Sequence, residues 1–454
     1  MWGRRAGAWG GVVGLLGAWA CNGGVGPELP DTATDTPDDP TRYAETFRAV
    51  RVTAALSLPD QLAVHACAGL YNRELGGSVF VSTDEDVPQS AIDGAVLRDE
   101  VWLEDLGLAP EETVEAPAFL SACVADFGEC VRYDYATQQT LLPAILTAAA
   151  ASGVPPLSTG SVATCETTVV DAVSVFADKA TPIAATDYAR EAYLAQTTGL
   201  AMLNPGYNRQ PADLANPDVT DDMPVALIDL VFSRKLFVSF LINGCVDGHP
   251  EEAVLQSIID ESGWETPIGV FGYNDSWLAG GYVYEAQTRC LDSANMGAIP
   301  TRTTNLSFFD TRRPAITDPA ELPVSAPVAP DYDPTRTYVA FVIGDGDNVR
   351  YIFSTRRTWL EQRLAACSAD PQGCPPLTWT ISPHLPDIAP DVIRWYFDSA
   401  ATTGADTFML PPSGYQYAYP SMMPDDVQAQ FASRSEDVAR LLGTQVARFE
   451  ACSP

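Results

Sequence analysis

The stretch TYVAFVIGDGDN, residues 337–348, joins an uninterrupted apolar run to a short polar loop. Its first seven residues, 337–343, are rich in β-branched and aromatic side chains, which is typical of a strand buried on both faces. Similar runs lie at residues 377–382 and 406–410, and a helical pattern follows each run, at roughly 349–366, 390–402 and 425–442. Strands that alternate with helices in this way predict a parallel sheet with right-handed crossovers.

Polar residues follow each of the three predicted strands, where parallel sheets bind their ligands. The candidate site residues are Asp345, Asp347 and Asn348 after the first strand, His384 and Asp387 after the second, and Ser413, Tyr415, Tyr417 and Tyr419 after the third. Because the carboxyl ends of parallel strands meet at one edge of a sheet, the sequence predicts a single site built from these three loops.

Three of these residues are candidate catalytic carboxylates. Glycoside hydrolysis needs two carboxyl groups that flank the scissile bond, one as an acid and the other as a nucleophile or base. Asp345 and Asp347 point the same way if the strand continues through them, and they diverge if Gly346 turns the chain. Asp387 lies in the loop after the neighbouring strand and is the third candidate.

The tyrosines and their polar neighbours are candidate binding groups. A tyrosine ring offers an apolar face with a polar rim, which suits a sugar ring, so we expect Tyr415, Tyr417 and Tyr419 to bind substrate. Asn348, His384 and Ser413 are expected to contribute polar contacts to the same ligand. Two other interpretations stay open: Asp-Gly-Asp-Asn is also a common turn, and the alternative role of the tyrosines is to fill the mouth of a barrel.

No metal or cofactor is predicted. Val349 stands where an EF-type calcium loop after Asp345 needs a further oxygen ligand. The chain has three histidines in all, too few to favour a zinc site or a histidine-dependent hydrolase.

The sequence GYQYAYP, residues 414–420, resembles the signature of the GxGYxYP family of proposed glycoside hydrolases. The loop at 345–348 and the segments 379–383 and 411–414 are similar to other blocks of its C-terminal domain, and fainter similarities lie at Ala68–Arg73 and Asn305–Ser307. Gln416 departs from the signature, which has glycine at that position. The resemblance implies a glycoside hydrolase whose C-terminal domain is longer than the residues available here.

The fold class expected from these patterns is α/β, with an N-terminal α/β domain and a C-terminal parallel (β/α) barrel-like domain. A full barrel needs eight strand–helix units, whereas three are visible from Thr337 onward, so the barrel-like domain is expected to be incomplete and the chain truncated. The predicted organisation is an N-terminal domain at 42–315, a proline-rich linker at 316–333 and the partial C-terminal domain at 334–454.

The N-terminus is predicted to be an export signal. A basic pair at residues 4–5 precedes a small-residue apolar stretch at 6–18, which is too short to span a bilayer. The sequence AWAC at 18–21 resembles a bacterial lipobox, although an ordinary signal peptide before a chance cysteine is the alternative. The predicted elements are a signal peptide at 1–20, lipidated Cys21 and a flexible linker at 22–41. We therefore expect an exported lipoprotein that faces the periplasm or the cell surface.

Ten cysteines support an oxidising compartment. Cys123 with Cys130, and Cys367 with Cys374, are spaced for short disulfide loops. Four more cysteines are available for two further bridges of unknown connectivity: Cys67, Cys165, Cys245 and Cys290. Cys452 is left without a partner, which also suggests sequence beyond the C-terminus.

The formal net charge of −33 disfavours nucleic acid and anionic membrane surfaces as partners. A carbohydrate is the expected substrate or ligand, and the lipid anchor is the expected link to the membrane. The function predicted from the sequence is glycoside hydrolysis outside the cytoplasm. The alternative is a non-catalytic glycan-binding surface lipoprotein or an inactive truncated homologue.

Overall fold

The computed structural model describes residues 43–84, 91–92, 95–96, 99–205, 225–241, 243–244, 246–272, 284–323 and 333–444. The predicted signal peptide, Cys21 and the linker to residue 41 lie outside these residues. The described residues belong to one compact unit, and the domain boundaries at 315 and 334 stay predictions. No helix in the described part is both long and apolar enough to cross a membrane.

The strands occur throughout the described residues. They are β1 (Arg48–Val52), β2 (Val79–Thr83), β3 (Ala91–Ile92), β4 (Ala95–Val96), β5 (Glu112–Glu115), β6 (Glu129–Tyr133), β7 (Pro156–Ser158), β8 (Thr167–Asp171), β9 (Leu200–Met202), β10 (Phe237–Ser239), β11 (Ile268–Gly272), β12 (Met296–Ile299), β13 (Val342–Ile343), β14 (Leu377–Thr380) and β15 (Asp406–Met409).

Parallel pairing dominates the sheets. The parallel sheets have the strand orders β2-β1-β5, β7-β6-β8, β10-β9-β11-β12 and β13-β14-β15, and β3 pairs with β4 in antiparallel orientation. The α/β class predicted from the sequence is confirmed. Within the described residues these sheets are open, and none closes into a barrel.

Helices connect and cover these strands. They are α1 (Leu58–Leu75), α2 (Glu100–Asp105), α3 (Ala116–Phe127), α4 (Tyr135–Gln138), α5 (Leu142–Ser152), α6 (Ala172–Val175), α7 (Pro182–Tyr193), α8 (Ile228–Arg234), α9 (Pro250–Ser262), α10 (Tyr284–Ser293), α11 (Leu306–Arg312), α12 (Val349–Tyr351), α13 (Arg357–Ala369), α14 (Leu385–Ile388), α15 (Pro390–Thr403) and α16 (Asp425–Leu441). A π-helical turn, Ile352–Arg356, joins α12 to α13.

Helix α1 is the central helix of the N-terminal half. It begins after Ser57, whose side chain accepts a hydrogen bond from the Asp60 backbone N–H, and it ends at Gly76 with a φ of 62°. Its middle packs directly on α8. The approach is so close that a Cβ at Gly69 would lie 2.1 Å from the carbonyl oxygen of Asp229. Two helices approach this closely only where one of them has no side chain.

Strand β2 lies at the edge of its sheet, and side-chain amides cover its open side. Asn72 accepts from the Val79 N–H over 2.8 Å and donates to the Val79 carbonyl over 2.9 Å. Asn305 does the same for Val81, over 2.7 and 2.9 Å. The two asparagines thus replace a neighbouring strand and satisfy buried backbone groups that would otherwise be unpaired.

The first predicted strand of the C-terminal half is shorter and more exposed than expected. Only Val342–Ile343 pair with β14, and the strand lies at the edge of its sheet. Val339 is 71% exposed and Phe341 is 58% exposed. The prediction of a strand buried on both faces from 337 to 343 was therefore wrong, because apolar composition does not tell whether a sheet continues beyond a strand.

The disulfides correct one predicted pairing and confirm another. Cys367 pairs with Cys374 as expected. Cys123 pairs with Cys67 rather than Cys130, and Cys130 pairs with Cys165. The spacing argument failed because α3 and β6 carry Cys123 and Cys130 to different neighbours. Three disulfides in the described residues agree with an extracellular protein.

Candidate active site

The loop after β13 turns sharply at Gly346. The Gly346 N–H donates to the Thr380 Oγ1 over 2.8 Å, and a Cβ at this glycine would lie 2.0 Å from the Thr380 carbonyl oxygen. Asp345, just before it, adopts the left-handed conformation with a φ of 61°. The chain therefore bends between the two carboxylates, in the way expected if Gly346 turns it.

The two carboxylates consequently occupy different environments. Asp345 is exposed, whereas Asp347 is partly buried. Burial raises the pKa of Asp347, and the negative charge of Asp345 raises it further, while its own and the Asn348 backbone hydrogen bonds and the positive charge of Arg356 act in the opposite direction. One loop thus carries a partly buried carboxyl group with a raised pKa beside one that is open to solvent.

Asn348 is engaged in local structure. Its Oδ1 accepts from the Tyr351 N–H over 3.3 Å and caps α12. The next residue, Val349, donates its N–H to the Pro300 carbonyl over 2.8 Å, just beyond the end of β12. These bonds fix the Asp345–Asn348 loop against the N-terminal half.

His384 lies after β14 and is buried. Burial lowers its pKa to about 4, so the imidazole is neutral at neutral pH. Its ring centroid is 4.8 Å from that of Tyr415, and among the described residues its Nε2 has no hydrogen-bond partner. The Oγ of Ser413, in the loop after β15, is also buried without a partner in the described part of the chain. Buried polar atoms of this kind are commonly satisfied by water or a ligand.

Asp387 is held in an ion pair. Its Oδ2 lies 2.9 Å from Nη1 of Arg234, whose other nitrogens bind Asp310. Asp387 is exposed, and the charge and hydrogen bond of Arg234 lower its pKa below the usual value of an aspartate. This geometry favours a structural role for Asp387, between α14 and α8, over the predicted catalytic role.

The three tyrosines do not form one surface. Tyr417 forms an antiparallel bridge with Ala298 of β12, through N–H to carbonyl bonds of 2.8 and 3.3 Å. Tyr415 packs on His384, whereas the rings of Tyr417 and Tyr419 are neighbours at 6.5 Å. The structure therefore places Tyr415, two residues after Ser413, against His384. The backbone of Tyr417 instead bonds to β12, and the Tyr419 N–H bonds to Asp292 of α10.

The surroundings of Gln416 explain why this position, which is glycine in the family signature, carries a side chain here. Its side chain is buried over β11 and β12, where a Cβ at Gly297 would lie 2.1 Å from the Gln416 Oε1. A Cβ at Gly269 would lie 3.3 Å from the Gln416 Nε2. Positive φ is found at Gly414 and not at Gln416, so position 416 tolerates a side chain where two facing glycines make room.

Sequence reasoning missed three charged residues around these loops. Arg356 lies beneath the Asp345 loop, Arg234 holds Asp387, and Asp292 accepts the Tyr419 N–H over 2.6 Å. Burial raises the pKa of Asp292 to about 6. Arg234 and Asp292 belong to the N-terminal half, and no spacing along the chain indicates that they meet the C-terminal loops. For Arg356, the short separation from Asp347 along the chain was the one feature of the sequence that indicated its place near this loop.

Comparisons with known proteins agree with this architecture. Residues 335–450 match the family model described as GxGYxYP putative glycoside hydrolase C-terminal domain. The crystal structure of a putative hydrolase from Bacteroides thetaiotaomicron VPI-5482 is similar over 89% of this chain and 70% of its own, with a TM-score of 0.60 and 18% sequence identity. At that identity the likeness concerns the fold alone. Comparison with curated proteins found no match. Over residues 335–450 the chain matches the GxGYxYP family of putative glycoside hydrolases, and the resemblance predicted from its motifs is confirmed.

Proposed function

We propose that this protein is a glycoside hydrolase in which Asp347 is the general acid and Asp345 is the nucleophile or base. The observation that carries the proposal is the unlike burial of two carboxylates in one strand-end loop. Glycosidases need one carboxyl group that keeps its proton and one that is ionised, and different surroundings are what separate the two roles. Burial raises the pKa of Asp347, which suits a proton donor.

The sugar is proposed to bind beside the loops after β14 and β15. His384 Nε2 and Ser413 Oγ are buried polar atoms without partners among the described residues, and a sugar hydroxyl offers both a donor and an acceptor. The ring of Tyr415 lies next to His384 and supplies an apolar face. Asn348, Tyr417 and Tyr419 are proposed to act at the margins of this region. Export and lipidation at Cys21 also remain part of the proposal, and the disulfides support the first of them.

The test is product release from a panel of aryl glycosides and polysaccharides by the wild type, Asp345→Asn and Asp347→Asn. We expect each variant to lose about 10²–10⁴-fold in rate, the range attributed to a positioned acid or base. Asp398→Asn, an exposed residue of α15, is the matched control and should retain full activity. Full activity of both loop variants, with folding unchanged, would overturn the proposal.

A non-catalytic glycan-binding protein is the second candidate. The ion pair between Arg234 and Asp387 favours it, because it engages one of the three carboxylates predicted for catalysis. In that case a glycan array would give a signal that Tyr415→Ala weakens, while no product is released from the bound glycan. Product release that depends on Asp347 would exclude this candidate.

A further inference from the structure

Arg356 is a buried arginine placed under the proposed catalytic loop. It ends the π-helical turn Ile352–Arg356, and its side chain is 1% exposed. A π turn accommodates an extra residue in a helix and frequently occurs at functional sites. Here the turn begins four residues after Asn348, the last residue of the Asp345–Asn348 loop. It brings the guanidinium of Arg356 back to the end of β13, where the loop begins.

The guanidinium binds backbone carbonyls from two strand ends. It donates to the carbonyls of Ile343 over 3.4 Å, Thr380 over 3.3 Å and Gly344. These residues end β13 and β14 or follow directly, and Gly344 precedes Asp345. A single side chain therefore fixes the separation of the two strands at the point where the loop begins.

The surroundings leave the charge of Arg356 largely uncompensated. Its hydrogen-bond acceptors are neutral carbonyls, and the rings of Tyr351 and Trp379 lie 5.6 and 5.5 Å from its Cζ. Burying a cation costs free energy unless other charges stabilise it. Asp345 and Asp347 are among the negative groups that act on it electrostatically.

We propose that Arg356 is a positioning residue of this site, which ties the ends of β13 and β14 together and places a positive charge beneath Asp345 and Asp347. The inference rests on the proposed function for its catalytic meaning, but its electrostatic part can be measured without any substrate. Arg356 opposes the effect of burial on Asp347, so removing its charge should raise the pKa of that carboxyl further.

The experiment is a ¹³C NMR titration of protein labelled at the aspartate carboxyl carbons, with the Asp347 signal assigned by Asp347→Asn. In Arg356→Gln we expect the Asp347 midpoint to move to higher pH than in the wild type. Arg356→Lys retains the charge and should keep the midpoint of the wild type. Arg357→Gln removes the next arginine, which pairs with Asp105 and Glu361, and should also leave the midpoint unchanged. An unchanged midpoint in Arg356→Gln, or a shifted one in Arg356→Lys, would overturn the inference.

Activity separates this inference from the proposed function. A general acid works in its protonated form, so a higher pKa of Asp347 moves the alkaline limb of the kcat/KM profile to higher pH in Arg356→Gln. Arg356→Lys should lower kcat/KM about tenfold with the limb in place, because it cannot bind three carbonyls at once. If the wild type releases no product, the glycosidase proposal fails, while the NMR midpoints still decide the role of Arg356. If Arg356→Gln does not fold, Arg356→Lys still tests the inference, because its Asp347 midpoint should stay unchanged while its kcat/KM falls.

Discussion

The side-chain amide of Asn72 donates from Nδ2 to the Oγ of Ser307 over 2.9 Å, across 235 positions of the chain. Asn72 lies on α1 and Ser307 on α11, and both fall in the segments whose similarity to the GxGYxYP family is faint in sequence. Asn72 and Asn305 cover the open side of β2. Ser307 lies two residues after Asn305, so its hydrogen bond with Asn72 connects the two asparagine contacts.

Asn72→Ala is expected to lower the free energy of unfolding by about 2–4 kcal/mol, since it leaves the Val79 N–H and carbonyl buried and unpaired. Urea denaturation followed by circular dichroism measures the change. Ser121→Ala, at an exposed position of α3, is the control and should stay within about 0.5 kcal/mol of the wild type. Equal midpoints for Asn72→Ala and the wild type would contradict the role given to this amide.

Gly346→Ala and Gly344→Ala test the turn between the carboxylates. A Cβ at Gly346 would collide with the Thr380 backbone, whereas a Cβ at Gly344 meets nothing within 4 Å. We expect Gly346→Ala to cost about 3 kcal/mol and Gly344→Ala to be nearly neutral, because overpacking against a backbone leaves little room to relax. Thermal unfolding of the two variants compares them directly. A Gly344→Ala variant as unstable as Gly346→Ala would mean that the whole loop, and not this contact, limits substitution.

Asp229→Asn should change how stability depends on pH. Burial raises the pKa of Asp229 to about 6, so the folded state binds a proton more tightly than the unfolded state. The associated stability is fully present below about pH 4 and is lost as pH rises through about 6. The asparagine variant should match the wild type at pH 4 and be more stable by up to about 3 kcal/mol at pH 7.5.

Urea midpoints at the two pH values measure this difference, and Asp398→Asn, an exposed aspartate, provides the control. The Asp229→Asn substitution keeps an acceptor for the Ser307 N–H, which now binds Oδ2 over 2.7 Å. A constant gap between variant and wild type across the pH range would show that Asp229 does not titrate in this window.

Gln416 and Gly297 should be energetically coupled. Gly297→Ala places a Cβ against the Gln416 amide and is expected to destabilise the protein, whereas the same change in a Gln416→Gly background should cost at least about 1 kcal/mol less. A double-mutant cycle of the four proteins by urea denaturation gives the coupling. Additive effects would show that Gln416 moves aside without cost.

The local patterns of the C-terminal half were enough to predict its elements. The runs at 377–382 and 406–410 contain β14 and β15, and the predicted helices correspond to α12 with α13, to α15 and to α16. Apolar periodicity and strand–helix alternation are encoded within a dozen residues, so a single sequence reveals them. The length and burial of β13 were not predictable, because they depend on what pairs with its outer edge.

The sequence predicted which residues follow the strands of the candidate site, but not which of them lie together. The sequence shows that Asp345, His384 and Tyr415 follow strands, but it does not show that Asp387 turns toward Arg234 or that Tyr417 pairs with Ala298. Those contacts join residues more than a hundred positions apart. The sequence left open whether the chain turns between Asp345 and Asp347, and the close packing of Gly346 on the Thr380 backbone decides it.

The bridge between Tyr417 and Ala298 has a consequence for how this protein can be divided. The region that matches the family model begins at residue 335, yet the backbone of Tyr417 pairs with the edge of a sheet formed by residues 200–299. The N–H groups of Val349 and Tyr419 likewise donate to acceptors in the N-terminal half, the Pro300 carbonyl and the Asp292 carboxylate. Expressed by itself, the matched region would lose all of these acceptors together with the Arg234 partner of Asp387. The region defined by the family match is therefore not expected to fold by itself. We expect the N-terminal and C-terminal halves to unfold in one cooperative transition.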